Sequence, residues 1–214
     1  MINAVKHVHD KGIIHRDITP FNFFIGKNYK LYLGDFGCAS VQYDGIFAGN
    51  RDYRCEHLLN YLNKKGEELK QNEIFNKLYN FLDIFALATS IFHLLMGRCF
   101  WSLIYYEDLI NENITADKKW KIIKNNSVEN DISKNLSIFR YTTKECEENE
   151  DGDIEKWQEP EKYKNLDSNF ESILKKVLLE PNFEKFDVVT IDDFTNSDFY
   201  KGLESLVKEE KNLV

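Results

Sequence analysis

One stretch, His15–Gly37, constrains the fold of this 214-residue chain more than any other. It reads HRDITPFNFFIGKNYKLYLGDFG. Phe23-Phe24-Ile25 and Leu31-Tyr32-Leu33 are short, apolar, β-prone runs, and Gly26-Lys27-Asn28 between them is a turn signal. The pattern predicts a β-hairpin. A hairpin here has a chemical consequence, because it returns Asp35 towards Asn22, while Asp17 lies just upstream of Asn22. Magnesium, a hard cation, is held by one or two carboxylates together with phosphate oxygens and water. Asn22 and Asp35 supply oxygen donors of that kind, which leaves Asp17 as a carboxylate free to meet a hydroxyl. The bland alternative is that all three are ordinary turn and cap residues.

His15-Arg16-Asp17, then Asn22 after four intervening residues, then Asp35-Phe36-Gly37, resembles the catalytic loop and magnesium loop of the protein kinase family. The resemblance implies transfer of the γ-phosphoryl group of ATP to a protein Ser/Thr or Tyr hydroxyl. Its cofactors would be ATP and Mg²⁺. Asp17 would be the catalytic base, with Asn22 beside it in the catalytic loop. Asn22 and Asp35 would bind the nucleotide through the metal. His15 would pack beneath the loop, and Phe36 and Gly37 would complete the magnesium loop. Arg16 would receive a phosphate from the activation segment, or pair with a local carboxylate.

Upstream, Ile2, Val5 and Val8 recur at helical spacing, and Lys11 and Gly12 close a short amphipathic helix over Met1–Lys11. This segment resembles the end of the long kinase helix that enters the catalytic loop. His7 and His9 read as surface or boundary histidines. The family's Gly-rich phosphate loop and strand Lys would lie earlier than Met1. The expectation is therefore a C-terminal lobe alone, either a fragment or a lone lobe, with an N-lobe or a covering partner supplied from elsewhere. Within the loop, Thr19 stands where many Ser/Thr kinases carry a Lys that touches the transferred phosphate, so one cation is missing.

By position, Cys38–Glu56 is the activation segment. Ser40 and Tyr43 are its early phosphate acceptors. Gly49-Asn50 replaces the family's Gly-Thr, with the Asn50 amide standing in for the hydroxyl that supports the catalytic Asp. Tyr53–Glu56 is a degraded Tyr-x-Ala-Pro-Glu, with Glu56 in the structural ion-pairing role. The family's Arg partner is absent, because Glu184 and Lys185 occupy that region. Cys38 reads equally as an accessible or a buried thiol.

His57–Leu82 is polar and helical, an insertion-like spacer. Asp83–Trp101 is apolar nearly all round, which marks a buried helix. Asp83 would open it as a cap and, by the resemblance, grip the backbone of the catalytic loop. Gly97 would end it. Ser102–Tyr163 holds helical pieces such as Lys118–Lys124 and an acidic loop at roughly 144–161, either solvated or a dock for basic partners. Ser168-x-x-Glu171 is a capping-box signature opening a helix, and Asp192–Lys208 reads as the last helix.

The expected fold is α+β, mainly α, a kinase-like C-terminal lobe with one small β-hairpin. Residues 1–101 would hold the catalytic loop, magnesium loop, activation segment and central helix, and 102–214 the helical remainder. With 36 acidic and 28 basic residues, a net charge of −8 argues against nucleic-acid or anionic-membrane partners. The four cysteines lie far apart, without zinc or disulfide spacing. No signal peptide or spanning run is evident, so the expected place is the cytoplasm, with the nucleus as alternative. Two other readings stay open. One is a catalytically dead pseudokinase or truncated lobe that binds proteins. The other is a small-molecule phosphotransferase of kinase-like fold.

Overall fold

The computed structural model describes residues 1–27, 30–42, 44, 46, 48–69, 73–96, 100, 114–115, 118–119, 122, 161–179 and 181–211. Tyr43, Gly97, the acidic loop and nearly all of 102–160 lie outside these residues.

Helix α1 spans Ile2–His9 and buries Ile2, Val5 and Val8. It ends through Gly12, whose φ of +69° suits a residue without Cβ. The hairpin forms as the two apolar runs predict. Strand β1, Phe23–Ile25, pairs antiparallel with β2, Leu31–Leu33, in the register Phe23↔Leu33, Phe24↔Tyr32 and Ile25↔Leu31.

Helix α2 runs Glu56–Leu69 and α3 runs Glu73–Met96. His57–Leu82 is thus not a solvated spacer. Leu58, Leu59 and Leu62 of α2, and Phe75, Leu78, Tyr79, Phe81 and Leu82 of α3, are core residues. Their i, i+3 and i, i+4 spacing lies beneath the abundant Lys, Glu and Asn of the same stretch. Asp83 is likewise not an opening cap. It stands in the middle of α3, ten residues past Glu73, because the helix-compatible sequence extends upstream without Gly or Pro. Around it, Ile84, Phe85, Leu87, Ala88 and Phe92 are all buried. Cys55, at the start of α2, is buried with its thiol pushed up to about 12 by desolvation, so it is an inert core thiol.

Helix α4 covers Glu161–Leu178. It runs straight through Ser168, so the capping-box signature there does not open a helix. Glu171 instead pairs with Lys175 one turn on, at 3.0 Å. The single terminal helix expected over Asp192–Lys208 is two, α5 (Ile191–Thr195) and α6 (Asp198–Lys211). Each has its own cap. Thr190 and Asp193 form a reciprocal capping box for α5. Ser197 Oγ accepts from Tyr200 N–H at 3.2 Å to start α6.

α3 is the axis of the fold. α1, α2 and α4 and the turn after Thr19 all contact it. The two C-terminal helices return to the first. Lys6 Nζ reaches Asp192 at 2.7 Å, and Tyr200 donates to Asn3 Oδ1 at 2.7 Å. None of the described helices is long and apolar enough to cross a membrane.

Candidate active site

The loop between α1 and β1 is held from below by one carboxylate. Asp83, fully buried in α3, accepts from His15 N–H at 2.6 Å and from Arg16 N–H at 2.7 Å. His9 Nε2 lies 2.9 Å from the same carboxylate, and its side chain is buried too. A carboxylate accepts only, so His9 Nε2 carries the proton. His9 is therefore not a boundary residue but the third donor to Asp83. The signal was present in the sequence: His9 falls four residues after Val5, on the buried face of α1.

His15 packs beneath the loop with no exposure. Its Nε2 donates to Gly34 O at 2.9 Å, which leaves Nδ1 as acceptor, 3.4 Å from Asp17 N. The Phe36 ring meets His15 edge to face at 4.7 Å. One imidazole thus ties the Asp17 loop to the turn that carries Asp35. Arg16 sits at φ +66°, a conformation rare for a residue with a side chain. Its backbone N–H is one of the two gripped by Asp83, so α3 pins the chain at a left-handed residue.

The Asp17 carboxylate has two neighbours. Oδ1 accepts from Asn50 N–H at 2.7 Å, and Oδ2 from Asn22 Nδ2 at 3.1 Å. Asn22 Nδ2 also donates to Asp17 O at 2.8 Å. The sequence placed the Asn50 side-chain amide against Asp17. The structure uses the backbone N–H instead, and turns the side chain away to accept from Asp52 N–H at 2.9 Å. The contact needs Gly49. At φ +81°, a Cβ there would lie 2.0 Å from Arg16 O. Gly49→Ala is expected to cost roughly 1–3 kcal/mol of stability from forced overpacking against backbone. Urea unfolding measures it, and an unchanged midpoint would contradict this approach of the two segments.

Gly34 N–H donates to Asn22 O at 2.9 Å, just beyond the Phe23↔Leu33 pair. Asp35 follows immediately, exposed, at φ +58°, with Oδ1 accepting only a long 3.4 Å bond from Gly37 N–H. The hairpin therefore brings Asp35 beside Asn22. Asn22 Oδ1 and Asp35 Oδ2 accept no hydrogen bond within the described residues. Two uncommitted oxygens fit a cation that takes few protein ligands.

Arg16 faces the activation segment. Its Nε donates to Cys38 O, and Nη1 meets Asp44 Oδ1 at 2.7 Å. Glu56 is paired within its own segment, to Arg54 at 2.5 Å and Arg51 at 3.9 Å, not to Lys185. Thr19 is buried.

A buried central helix thus clamps one acid-bearing loop, and a hairpin sets a second acid beside it. The chain belongs to the protein kinase family. The family model described as "Protein kinase domain" matches residues 1–185. The chain is 40% identical over 65 residues to 3-phosphoinositide-dependent protein kinase B of Dictyostelium discoideum, covering 26% of the chain and 7% of that protein. It is 32% identical over 98 residues to serine/threonine-protein kinase F of Synechocystis, covering 46% of the chain and 19% of that protein. It is 25% identical over 145 residues to serine/threonine-protein kinase PKH3 of Eremothecium gossypii, covering 66% of the chain and 20% of that protein. The chain thus spans a fifth or less of these relatives' lengths.

Proposed function

We propose that this chain is the C-terminal lobe of an ATP-dependent protein kinase that phosphorylates a Ser/Thr or Tyr hydroxyl. The observation that carries the reading is the Asp17 carboxylate. It is held on one side by Asn50 N–H and on the other by Asn22, on a loop that Asp83 anchors. A base so placed orients the acceptor hydroxyl and takes its proton. Asn22 and Asp35 would hold Mg²⁺ through their uncommitted oxygens. When bound, the metal neutralises charge on the β- and γ-phosphates. His15 keeps the two acid-bearing turns in register through Gly34 O and Phe36.

The hairpin supports a covered nucleotide site. Phe21, Phe24, Ile25, Tyr32 and Phe36, on the hairpin and the turns that flank it, stand exposed. An apolar patch of this kind is ordinarily covered by another surface, here an N-lobe or a partner. The net charge of −8 supports protein rather than nucleic-acid partners. The test is γ-phosphate transfer from Mg·ATP to a peptide by the full-length native protein. Transfer is expected to require Mg²⁺ and to fall about 10²-fold or more in Asp35→Ala, as for loss of a transition-state clamp. A full-length protein that transfers nothing, with or without Asp35, sinks the reading.

The buried Thr19, with no Lys in its place, favours a second reading as a protein-binding pseudokinase. In that case partner capture is unchanged by Asp35→Ala.

A further inference from the structure

Helix α3 meets the site along one face. Tyr79, Asp83, Ala86 and Ser90 stand at i, i+4, i+7 and i+11, and all four are buried. Asp83 accepts from His15 N–H and Arg16 N–H, just before Asp17. Ser90 Oγ donates to Ile18 O at 3.3 Å, just after it. Ala86, between them, lines a small cavity together with Asp17. Three positions of the stripe therefore serve the Asp17 loop. The fourth, Tyr79, reaches a different segment. Its hydroxyl donates to Gln42 O at 3.1 Å, across 37 positions.

Tyr79 belongs to the part of α3 that extends upstream of Asp83, the expected start of the helix. That extension is itself fixed. Phe75 and Leu78 are core residues, and Lys77 Nζ donates to Phe186 O at 3.2 Å. The phenol is thus presented from an anchored backbone, about 6 Å along the helix axis from Asp83. Burial pushes the Tyr79 hydroxyl above its usual range, and the Arg16 guanidinium and the Ser40 hydroxyl oppose this without cancelling it. Tyr79 therefore remains a neutral donor throughout the neutral range.

The acceptor lies at a turn of the activation segment. Ser40 bridges Ile14 through two backbone bonds, of 2.8 and 2.9 Å. Ser40 Oγ then donates to Gln42 O and accepts from Gln42 N–H at 3.2 Å. Gln42 O thus has two donors. Ser40 shapes the turn from within, and Tyr79 ties the turn to the helix. Further along the same segment, Asn50 N–H rests on Asp17 Oδ1 at 2.7 Å. Both chains that meet at the Asp17 carboxylate are therefore held to one face of one helix.

We propose that Tyr79 is a positioning residue of the phosphoryl-transfer site. Its hydroxyl holds the early activation segment, through Gln42 O, in register with the Asp17 loop. This rests on the kinase reading for its catalytic consequence, and on the geometry alone for the hold on the segment. A neutral hydrogen bond of this kind shifts a local equilibrium by about 2- to 10-fold.

The test is Tyr79→Phe in the phosphatase-treated full-length protein, which keeps the buried ring and removes the hydroxyl. Hydrogen exchange in peptides covering residues 38–42 is expected to speed up about 2- to 10-fold. The unfolding temperature should fall by no more than about 2–4 °C. For peptide phosphorylation, kcat is expected to fall by a similar factor while KM for Mg·ATP holds, because Asn22 and Asp35 are set by the hairpin rather than by this segment. Ser40→Ala removes the other donor to Gln42 O. Combined with Tyr79→Phe, it is expected to speed exchange by more than the product of the two single effects, since the shared carbonyl then loses its last side-chain donor. Equal exchange in Tyr79→Phe and the native protein overturns the proposal, whether or not phosphate is transferred. So does faster exchange at unchanged kcat in a protein that phosphorylates the peptide. A native protein that transfers nothing, while the exchange contrast holds, supports the hold of Tyr79 on the segment and removes the kinase reading alone.

Discussion

Asp17→Asn is expected to lower phosphoryl transfer by about 10²–10⁴-fold while leaving the fold intact, because a positioned general base contributes that much. The substitution is nearly isosteric. An Asn carbonyl oxygen still accepts from Asn50 N–H, so the activation segment stays docked. What is lost is the negative charge that draws the acceptor proton. The measurement is kcat for peptide phosphorylation by the full-length protein, beside its thermal unfolding. A fall in kcat at constant unfolding temperature fits the role. An unchanged kcat would mean that the chemistry does not pass through this carboxylate.

Asp83→Ala is expected to act on folding first. It leaves His15 N–H, Arg16 N–H and His9 Nε2–H facing a void in the core. Removing one member of a buried, hydrogen-bonded charge cluster costs about 3–5 kcal/mol. That is a large share of the 5–15 kcal/mol that stabilises a typical domain. Arg16, strained at φ +66°, would also lose the contact that keeps it there. Asp83→Asn separates the effects, since one carbonyl oxygen can still serve one backbone N–H. Chemical denaturation should therefore rank native above Asp83→Asn above Asp83→Ala. If Asp83→Ala unfolds with the native protein, the anchoring account is wrong.

Local order in this chain was legible where local chemistry decides it. The hairpin follows from two β-prone runs and a glycine turn, and α1 from its apolar stripe. With the hairpin came the approach of Asp35 to Asn22. Helix boundaries were less legible, because Asp83 and Ser168 carry good capping chemistry in positions where the helix simply continues. A cap signature shows that a helix is able to start there, not that it must. The contacts that complete the site join residues far apart in the chain. Asp44 reaches Arg16 over 28 positions, His9 reaches Asp83 over 74, and Asn50 offers Asp17 its backbone rather than its side chain. Periodicity turns His9 inward on α1, but no motif spacing names the partner in such pairs. The burial of α2 was hidden for a different reason: its surface charge outweighs its apolar stripe in composition.

The ties from α1 to α5 and α6 bear on how the protein comes off the ribosome. Lys6 finds Asp192 across 186 positions, and Asn3 finds Tyr200 across 197. Contacts of such separation form late, since the loop must close before they hold anything. The helix leading into the Asp17 loop thus leaves the ribosome well before α5 and α6, and waits for them. During that interval its apolar stripe is uncovered and open to chaperones. Slowing synthesis would lengthen this wait rather than help the lobe to fold.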